Sequence, residues 1–219
     1  MIVRDLMTTN VITTEESKTI LEVRELMRNK NIRRLPVVDD INRIKGIITD
    51  GDVGRSEPSD ATTLSKYEAS YLLSKLKVRD VMTKMVITIS DTAEIEDAAY
   101  QLYTKKIASL PVVDDDNKLC GIITDSDIFK AFVDIMGFAK TSTKITIDAT
   151  DQVGILADIA GIFKAKGINI ISAVSRMKGT DQAEIMIRAD LTHNLEIIED
   201  IRKAGYTIND ISTVKTNGE

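Results

Sequence analysis

Two short stretches of the chain bring together residues that could hold a ligand. Gly46-Ile47-Ile48-Thr49-Asp50-Gly51-Asp52 and Gly121-Ile122-Ile123-Thr124-Asp125-Ser126-Asp127 each put a hydroxyl and a carboxylate three residues apart, where a β-branched run ends. A helix is expected to begin just after Thr49 and just after Thr124. A helix start exposes unpaired N–H groups and a partial positive charge, which suits a phosphate. A carboxylate there repels phosphate but accepts two hydrogen bonds from a sugar diol, and a Thr hydroxyl can donate to either. The same residues are good caps, with Thr49 or Asp50 as N-cap and Asp52 favoured by the dipole in the first turn. Capping and ligand contact both stand as readings of Thr49, Asp52, Thr124 and Asp127.

Other chemistry finds little support. One Cys (Cys120) and one His (His193) allow neither an intrachain disulfide nor a Cys/His zinc site within one chain. No nucleophile–base pair and no Walker or Rossmann glycine pattern stands out, so no catalytic residue is assigned and the chain reads as a non-enzyme. Asp39-Asp40 and Asp114-Asp115-Asp116 are read as hairpin-turn residues, with no metal site expected. The 219 residues are 43% apolar and 29% charged, with net charge −5. Basic and acidic residues alternate, which argues against a nucleic-acid partner. No apolar run approaches the roughly 20 residues that span a bilayer, and the start of the chain lacks a secretory h-region. No membrane association and a cytoplasmic location are expected.

The elements that would position these residues come in duplicate. Arg4-Asp5-Leu6-Met7-Thr8 returns as Arg79-Asp80-Val81-Met82-Thr83, and Leu35-Pro36-Val37-Val38 returns as Leu110-Pro111-Val112-Val113. The two helix-start stretches obey the same 75-residue offset, and positions 3–53 and 78–128 share 24 identities in 51. Unrelated segments would match at roughly one position in fifteen. In each copy a strand is expected to start at Val11-Ile12-Thr13 or Val86-Ile87-Thr88. Capping boxes are expected at Thr19/Glu22 and Asp91/Glu94. A helix follows, with Ile20, Val23 and Met27, or Ile95, Ala98 and Leu102, on one face. A hairpin and a last short helix complete each β-α-β-β-α repeat. Residues 54–60 read as a loop, and Leu64, Tyr67, Tyr71, Leu72 and Leu76 as a helical stripe serving the core or a dimer face. From residue 143 a new pattern runs β-α-β-β-α-β, with a helix opened by Gly154 and closed by Gly167, which is the order of a ferredoxin-like sandwich.

The duplicated motifs resemble the CBS domain, as the tandem pair called a Bateman module over residues 1–135, and residues 143–214 look like an ACT domain. The implied division is CBS domain 1 at 1–60, a helical linker at 61–77, CBS domain 2 at 78–137 and an ACT-like domain at 142–215, a mixed α+β and α/β chain. The whole is similar to the acetoin-utilisation, AcuB-type proteins. The resemblance implies a regulatory protein sensing AMP, ADP or ATP, or else S-adenosylmethionine or NAD. Thr49 and Asp52, with Thr124 and Asp127, would contact ribose and phosphate. Arg33 and Arg34 would meet phosphate or solvent, and the segments around Ile12 and Ile87 would face adenine. The second copy has Ala108-Ser109 in place of the two arginines, so the two clefts are expected to be chemically unequal. In the ACT-like domain, Asp151, Gly154, Ile155 and Asn169 would hold an amino acid, Asp151 being equally an N-cap and Asn169 an edge residue. Its Asp151-Gln152-Val153-Gly154 lacks the Pro that the family usually carries before the Gly. A homodimer and a regulated enzyme partner are expected, with a dimeric scaffold that binds no ligand as the alternative.

Overall fold

The computed structural model describes residues 1–56, 66–138, 141–192 and 194–214. Residues 57–60 of the expected loop, Leu64 and His193 lie outside them, as does the side chain of Leu72. Two compact units form, Met1–Ile128 and Phe129–Glu219. No helix among the described residues is long and apolar enough to cross a membrane.

In the first unit a single 3-10 turn, Val3–Asp5, precedes helix α1 (Ile20–Lys30), the hairpin β1 (Arg34–Val38) and β2 (Ile44–Thr49), and α2 (Asp50–Ser56). Helices α3 (Lys66–Lys75) and α4 (Val78–Val81) lead into β3 (Ile89–Ser90), α5 (Ile95–Lys105), the hairpin β4 (Ser109–Val113) and β5 (Leu119–Thr124), and the first turn of α6 (Asp125–Ile135), the division between the units falling after Ile128. Helix α1 starts where the sequence places it. The Thr19 N–H donates to Glu22 Oε2 at 2.7 Å, and the Glu22 N–H returns to Thr19 Oγ1 at 3.2 Å. The expected faces are buried, Ile20, Val23 and Met27 in one copy and Ile95, Ala98 and Leu102 in the other. Asp39 and Asp114 hold their hairpin turns by accepting from the N–H of Arg43 (2.8 Å) and Lys118 (2.9 Å), and Asn42 and Asn117 take the positive φ that each turn requires.

Three expectations need correction. The Asp91/Glu94 capping box does not form. Glu94 is itself the N-cap of α5, and Asp91, 6% exposed, accepts from Arg4 Nε at 2.9 Å. Val11–Thr13 and Val86–Thr88 lie outside regular strands, because pairing begins one residue later, with Thr14 against Val37 and Ile89 against Val112. The linker stripe does not act as one face: its Tyr67 and Tyr71 are exposed while its Leu76 packs against the first core, in which Leu73, outside the stripe, is buried.

The opening segment of each copy packs in the core of the other. Val3 sits among Ile89, Ala98 and Leu110, and Val78 and Met82 sit among Ile20, Leu35 and Ile48. The main chain repeats the exchange at the 75-residue offset. The Val3 N–H donates to Ala93 and the Val78 N–H to Lys18, while Ile95 donates to Met1 and Ile20 to Leu76. Thr8 and Ile122 exchange two bonds of 2.9 and 3.0 Å, and so do Thr83 and Ile47. At the centre of each junction a methionine lies over a glycine of the opposite copy. A Cβ on Gly121 would collide with Met7 Sδ, and one on Gly46 with Met82 Sδ and the Thr83 carbonyl.

The second unit holds β6 (Ser142–Thr150), α7 (Ile155–Ala165), β7 (Ile170–Met177), β8 (Gln182–Ala189), α8 (Ile197–Lys203) and β9 (Thr207–Val214), with strand order β7-β8-β6-β9. This is the expected βαββαβ sandwich. Isoleucines 145, 147, 185 and 187 pack beneath Ile159, Phe163, Ile197 and Ile201 of the two helices. On the opposite sheet face Glu184, 8% exposed, is bridged by Arg176 Nε at 2.6 Å and Lys178 Nζ at 3.3 Å. Arg176, and then Lys178, hold the Glu184 carboxyl below its ordinary value of 4.5, although its burial pushes the other way.

Two outcomes follow from these contacts. Gly46→Val should cost about 1–3 kcal/mol by overpacking, read by urea denaturation, and adding Met82→Ala should recover part of the loss. Full additivity would show that the methionine does not fill that space. The depressed Glu184 value contributes stability above pH 4.5 that is lost as pH falls through the folded value. Thermal unfolding between pH 7 and pH 3 should therefore show a smaller acid-induced decrease for Glu184→Gln than for the parent, and an equal decrease would rule this group out.

Candidate functional site

The two helix starts are closed on themselves. The Thr49 hydroxyl donates to Asp52 Oδ2 at 2.7 Å, the Thr49 N–H reaches the same oxygen at 2.9 Å, and the Asp52 N–H returns to Thr49 Oγ1 at 3.2 Å. Thr124 and Asp127 repeat this at 2.7, 2.8 and 3.4 Å. The capping reading is thus realised in both copies. The N–H groups expected to be free are also taken. Asp50 donates to the Arg33 carbonyl at 2.9 Å and Gly51 to Asp50 Oδ1 at 2.9 Å; Asp125 donates to the Ala108 carbonyl at 3.4 Å and Ser126 to Asp125 Oδ1 at 2.8 Å. Each Thr hydroxyl spends its only proton on the Asp, so it faces any ligand as an acceptor. The asymmetry between copies begins here, since Asp52 Oδ1 is also bridged by Arg55.

Two clefts lie beside these helix starts, and each draws its walls from both copies. One, about 570 Å³, joins Ile122, Thr124, Asp125 and Ser126 to Thr8, Val11, Ile12 and the run Asn31–Arg34. The other, about 360 Å³, joins Ile47, Thr49, Asp50 and Gly51 to Thr83, Val86, Ile87 and the run Ile107–Ser109. Nearly every wall residue of one has its counterpart in the other at the 75-residue offset, as the exchanged openings require. Where Arg33 and Arg34 line the larger cleft, Ala108 and Ser109 line the smaller, which Arg34 also reaches. The larger cleft is cationic and the smaller mostly apolar.

Among the residues expected from the sequence, Thr49, Thr124, Arg33, Arg34, Ile12 and Ile87 come together on these walls. Asp52 and Asp127 do not line the clefts, because their carboxylates turn back to the threonines. Asp50, expected only as a cap, and Asp125 do line them, as do Thr8 and Thr83. The duplicated Met-Thr opening was the available signal for the last pair.

In the second unit Gly154, with φ +95°, is the N-cap of α7, so Asp151 does not cap the helix. The Asp151 main-chain N–H instead donates to the Asp181 carbonyl at 2.8 Å. Asp151, Gly154 and Asn169 are exposed, and Ile155 is buried in the core. Asn169 lies one residue before β7, which starts at Ile170.

Residues 3–56 and 78–134, just over half of the chain, match the family model of the CBS domain, and residues 143–206 match that of the ACT domain. Over 203 residues the chain is 31% identical to the inosine-5'-monophosphate dehydrogenase of Methanocaldococcus jannaschii, covering 89% of this chain and 33% of that enzyme. The chain thus spans about a third of that relative's length. Three solved structures are similar to its CBS pair. CBSX2 of Arabidopsis thaliana, in complex with AMP, is 33% identical over 60% of this chain and 96% of the other, with TM-score 0.50. The CBS pair of protein MJ0100, in complex with 5'-methylthioadenosine and S-adenosyl-L-methionine, is 28% identical over 60% and 99%, with TM-score 0.50. A Vibrio cholerae protein described as an acetoin utilization protein (AcuB) is 27% identical over 64% and 95%, with TM-score 0.53. With both opening motifs, both hairpins and both helix starts in place, the chain belongs to the CBS-domain family, as a tandem CBS pair followed by an ACT domain.

Proposed function

We propose that this chain is a non-catalytic regulatory protein that senses an adenine nucleotide, or a related adenosyl ligand, through its CBS pair. The observation that carries the reading is the pair of shared clefts, each joining a helix start of one copy to an apolar segment of the other. In this reading the Ile12 and Ile87 segments flank the adenine, the Thr124 and Thr49 hydroxyls accept from ribose, and Arg33 and Arg34 bind phosphate in the larger cleft. Asp52 and Asp127 orient the threonines, and a direct contact with ribose is the further role proposed for them. AMP, ADP and ATP suit the cationic cleft, while S-adenosylmethionine or NAD are alternatives. The complexes of similar CBS pairs with AMP and with 5'-methylthioadenosine and S-adenosyl-L-methionine support this ligand class.

The ACT domain is proposed to sense an amino acid through Asp151 and the start of α7, supported by the exposed carboxylate that no cap consumes. A homodimer, a regulated enzyme partner, a role in acetoin utilisation and a cytoplasmic location complete the proposal. Likeness to the AcuB protein supports the third of these, and exposed Tyr67 and Tyr71 offer a surface for the first. The second reading, a dimeric scaffold without ligand, draws on the self-satisfied helix starts.

Calorimetric titration of the full chain separates the two. AMP should bind, and Arg33→Ala combined with Arg34→Ala should weaken it about tenfold or more, as loss of charge-assisted bonds predicts. The affinity for uncharged adenosine should stay within about threefold. Absence of binding by AMP, ADP, ATP, NAD and S-adenosylmethionine would leave the scaffold. Asp127→Ala should cost about 1 kcal/mol through the lost cap and also weaken adenosine. Lower stability with an unchanged Kd would confine Asp127 to capping.

A further inference from the structure

Beside the larger cleft lies a recess of about 310 Å³ whose rim carries Arg24, Arg28 and Arg33, with Asn31 and an apolar floor that includes Met27 and Val53. It shares Asn31, Ile32 and Arg33 with the cleft, so the two adjoin along this run. Its one acid, Asp50, has a carboxylate oxygen already accepting from Gly51. Arg28 and Arg33 form no ion pair among the described residues. We propose that this recess takes the distal phosphates of a nucleoside polyphosphate whose nucleoside lies in the Thr124 cleft, an inference that rests on the ligand reading above.

The duplication supplies an internal control. Cations in the last turn of a helix complement its dipole without any ligand, and both copies keep a lysine for that, Lys30 and Lys105. Both helices also end alike, on a left-handed residue, Asn31 or Lys106, whose N–H closes onto the last carbonyls. The fold is therefore met equally by either set of side chains. Yet the positions of Arg24, Arg28, Arg33 and Arg34 are Ala99, Tyr103, Ala108 and Ser109 in the second copy. Arg24, Arg28 and Arg33 line the recess and Arg33 and Arg34 the larger cleft, and the second copy folds in the same way with no arginine at these positions. Guanidinium remains charged at any physiological pH and offers a planar fork of donors that fits phosphate. A terminal phosphate held there adds contacts that a monophosphate does not reach, so affinity rises along the series AMP, ADP, ATP.

Calorimetry on the full chain tests this with AMP, ATP and inorganic tripolyphosphate, for the parent and Arg28→Ala. The expected result is ATP binding at least tenfold tighter than AMP. Arg28→Ala should bring the two within about threefold, chiefly through weaker ATP, with AMP changed less than twofold. An ATP-to-AMP ratio equal in both proteins overturns the proposal. If neither nucleotide binds, the nucleoside reading fails by itself. Tripolyphosphate binding that weakens in Arg28→Ala would then keep the recess as a polyphosphate site, and binding that is absent or unchanged would remove it.

Discussion

The whole arrangement of the CBS pair depends on two methionine sulphurs resting over two glycines. Met7 over Gly121 and Met82 over Gly46 let each opening segment lie close enough to the opposite hairpin for Thr8 and Thr83 to bond to Ile122 and Ile47. A repeat of some fifty residues buries too little apolar surface to be secure alone. Exchanging the openings gives each core a valine or methionine from the other copy, and neither copy completes its core without its neighbour. The clefts follow directly. The chain that leaves the Met-Thr junction runs on through Val11-Ile12 or Val86-Ile87, which brings its apolar edge opposite the other copy's helix start. A ligand in either cleft therefore touches both copies. It stabilises their docked state by mass action, by no more than its preference for that state over others.

Much of this was legible in the sequence, and what was not has a definite reason. The 75-residue offset exposed the duplication, and Thr19/Glu22 and the Ile20–Val23–Met27 face are local features that local rules identify. Asp91/Glu94 also satisfied the local spacing, but the residue aligned with Thr19 is Glu94, so α5 starts three positions later than that box implies. The carboxylate left over pairs with Arg4, 87 residues away in the chain. Val11–Thr13 has strand composition but no neighbour to pair with until Thr14, and pairing is a tertiary property. The exchange of openings left no local trace at all. Spacing does not tell which of two similar cores a segment enters, and a glycine needed for a methionine 36 or 114 residues away looks like any other. At the candidate sites, residue types were readable but side-chain direction was not. Asp52 and Asp127 turn inward, and Asp50 and Asp125 form part of the walls.

Capping and ligand recognition are rival readings of Thr49, Asp52, Thr124 and Asp127 in the sequence, yet the hydrogen bonds of the cap are compatible with both. Because the Asp takes the Thr proton and the Thr oxygen takes the Asp N–H, the hydroxyl is fixed in direction and left with acceptor capacity alone. It suits the hydroxyl of a sugar and not the oxygen of a phosphate. The next N–H groups along the helix start are bonded to Arg33, Ala108, Asp50 and Asp125, so the helix terminus cannot receive a phosphate either without breaking those bonds. In the proposed reading, phosphate recognition then falls to side chains, and among the cleft walls the cations are Arg33 and Arg34. The two clefts offer similar environments to a nucleoside and different environments to its charge, and Ala108 and Ser109 in place of Arg33 and Arg34 account for that difference.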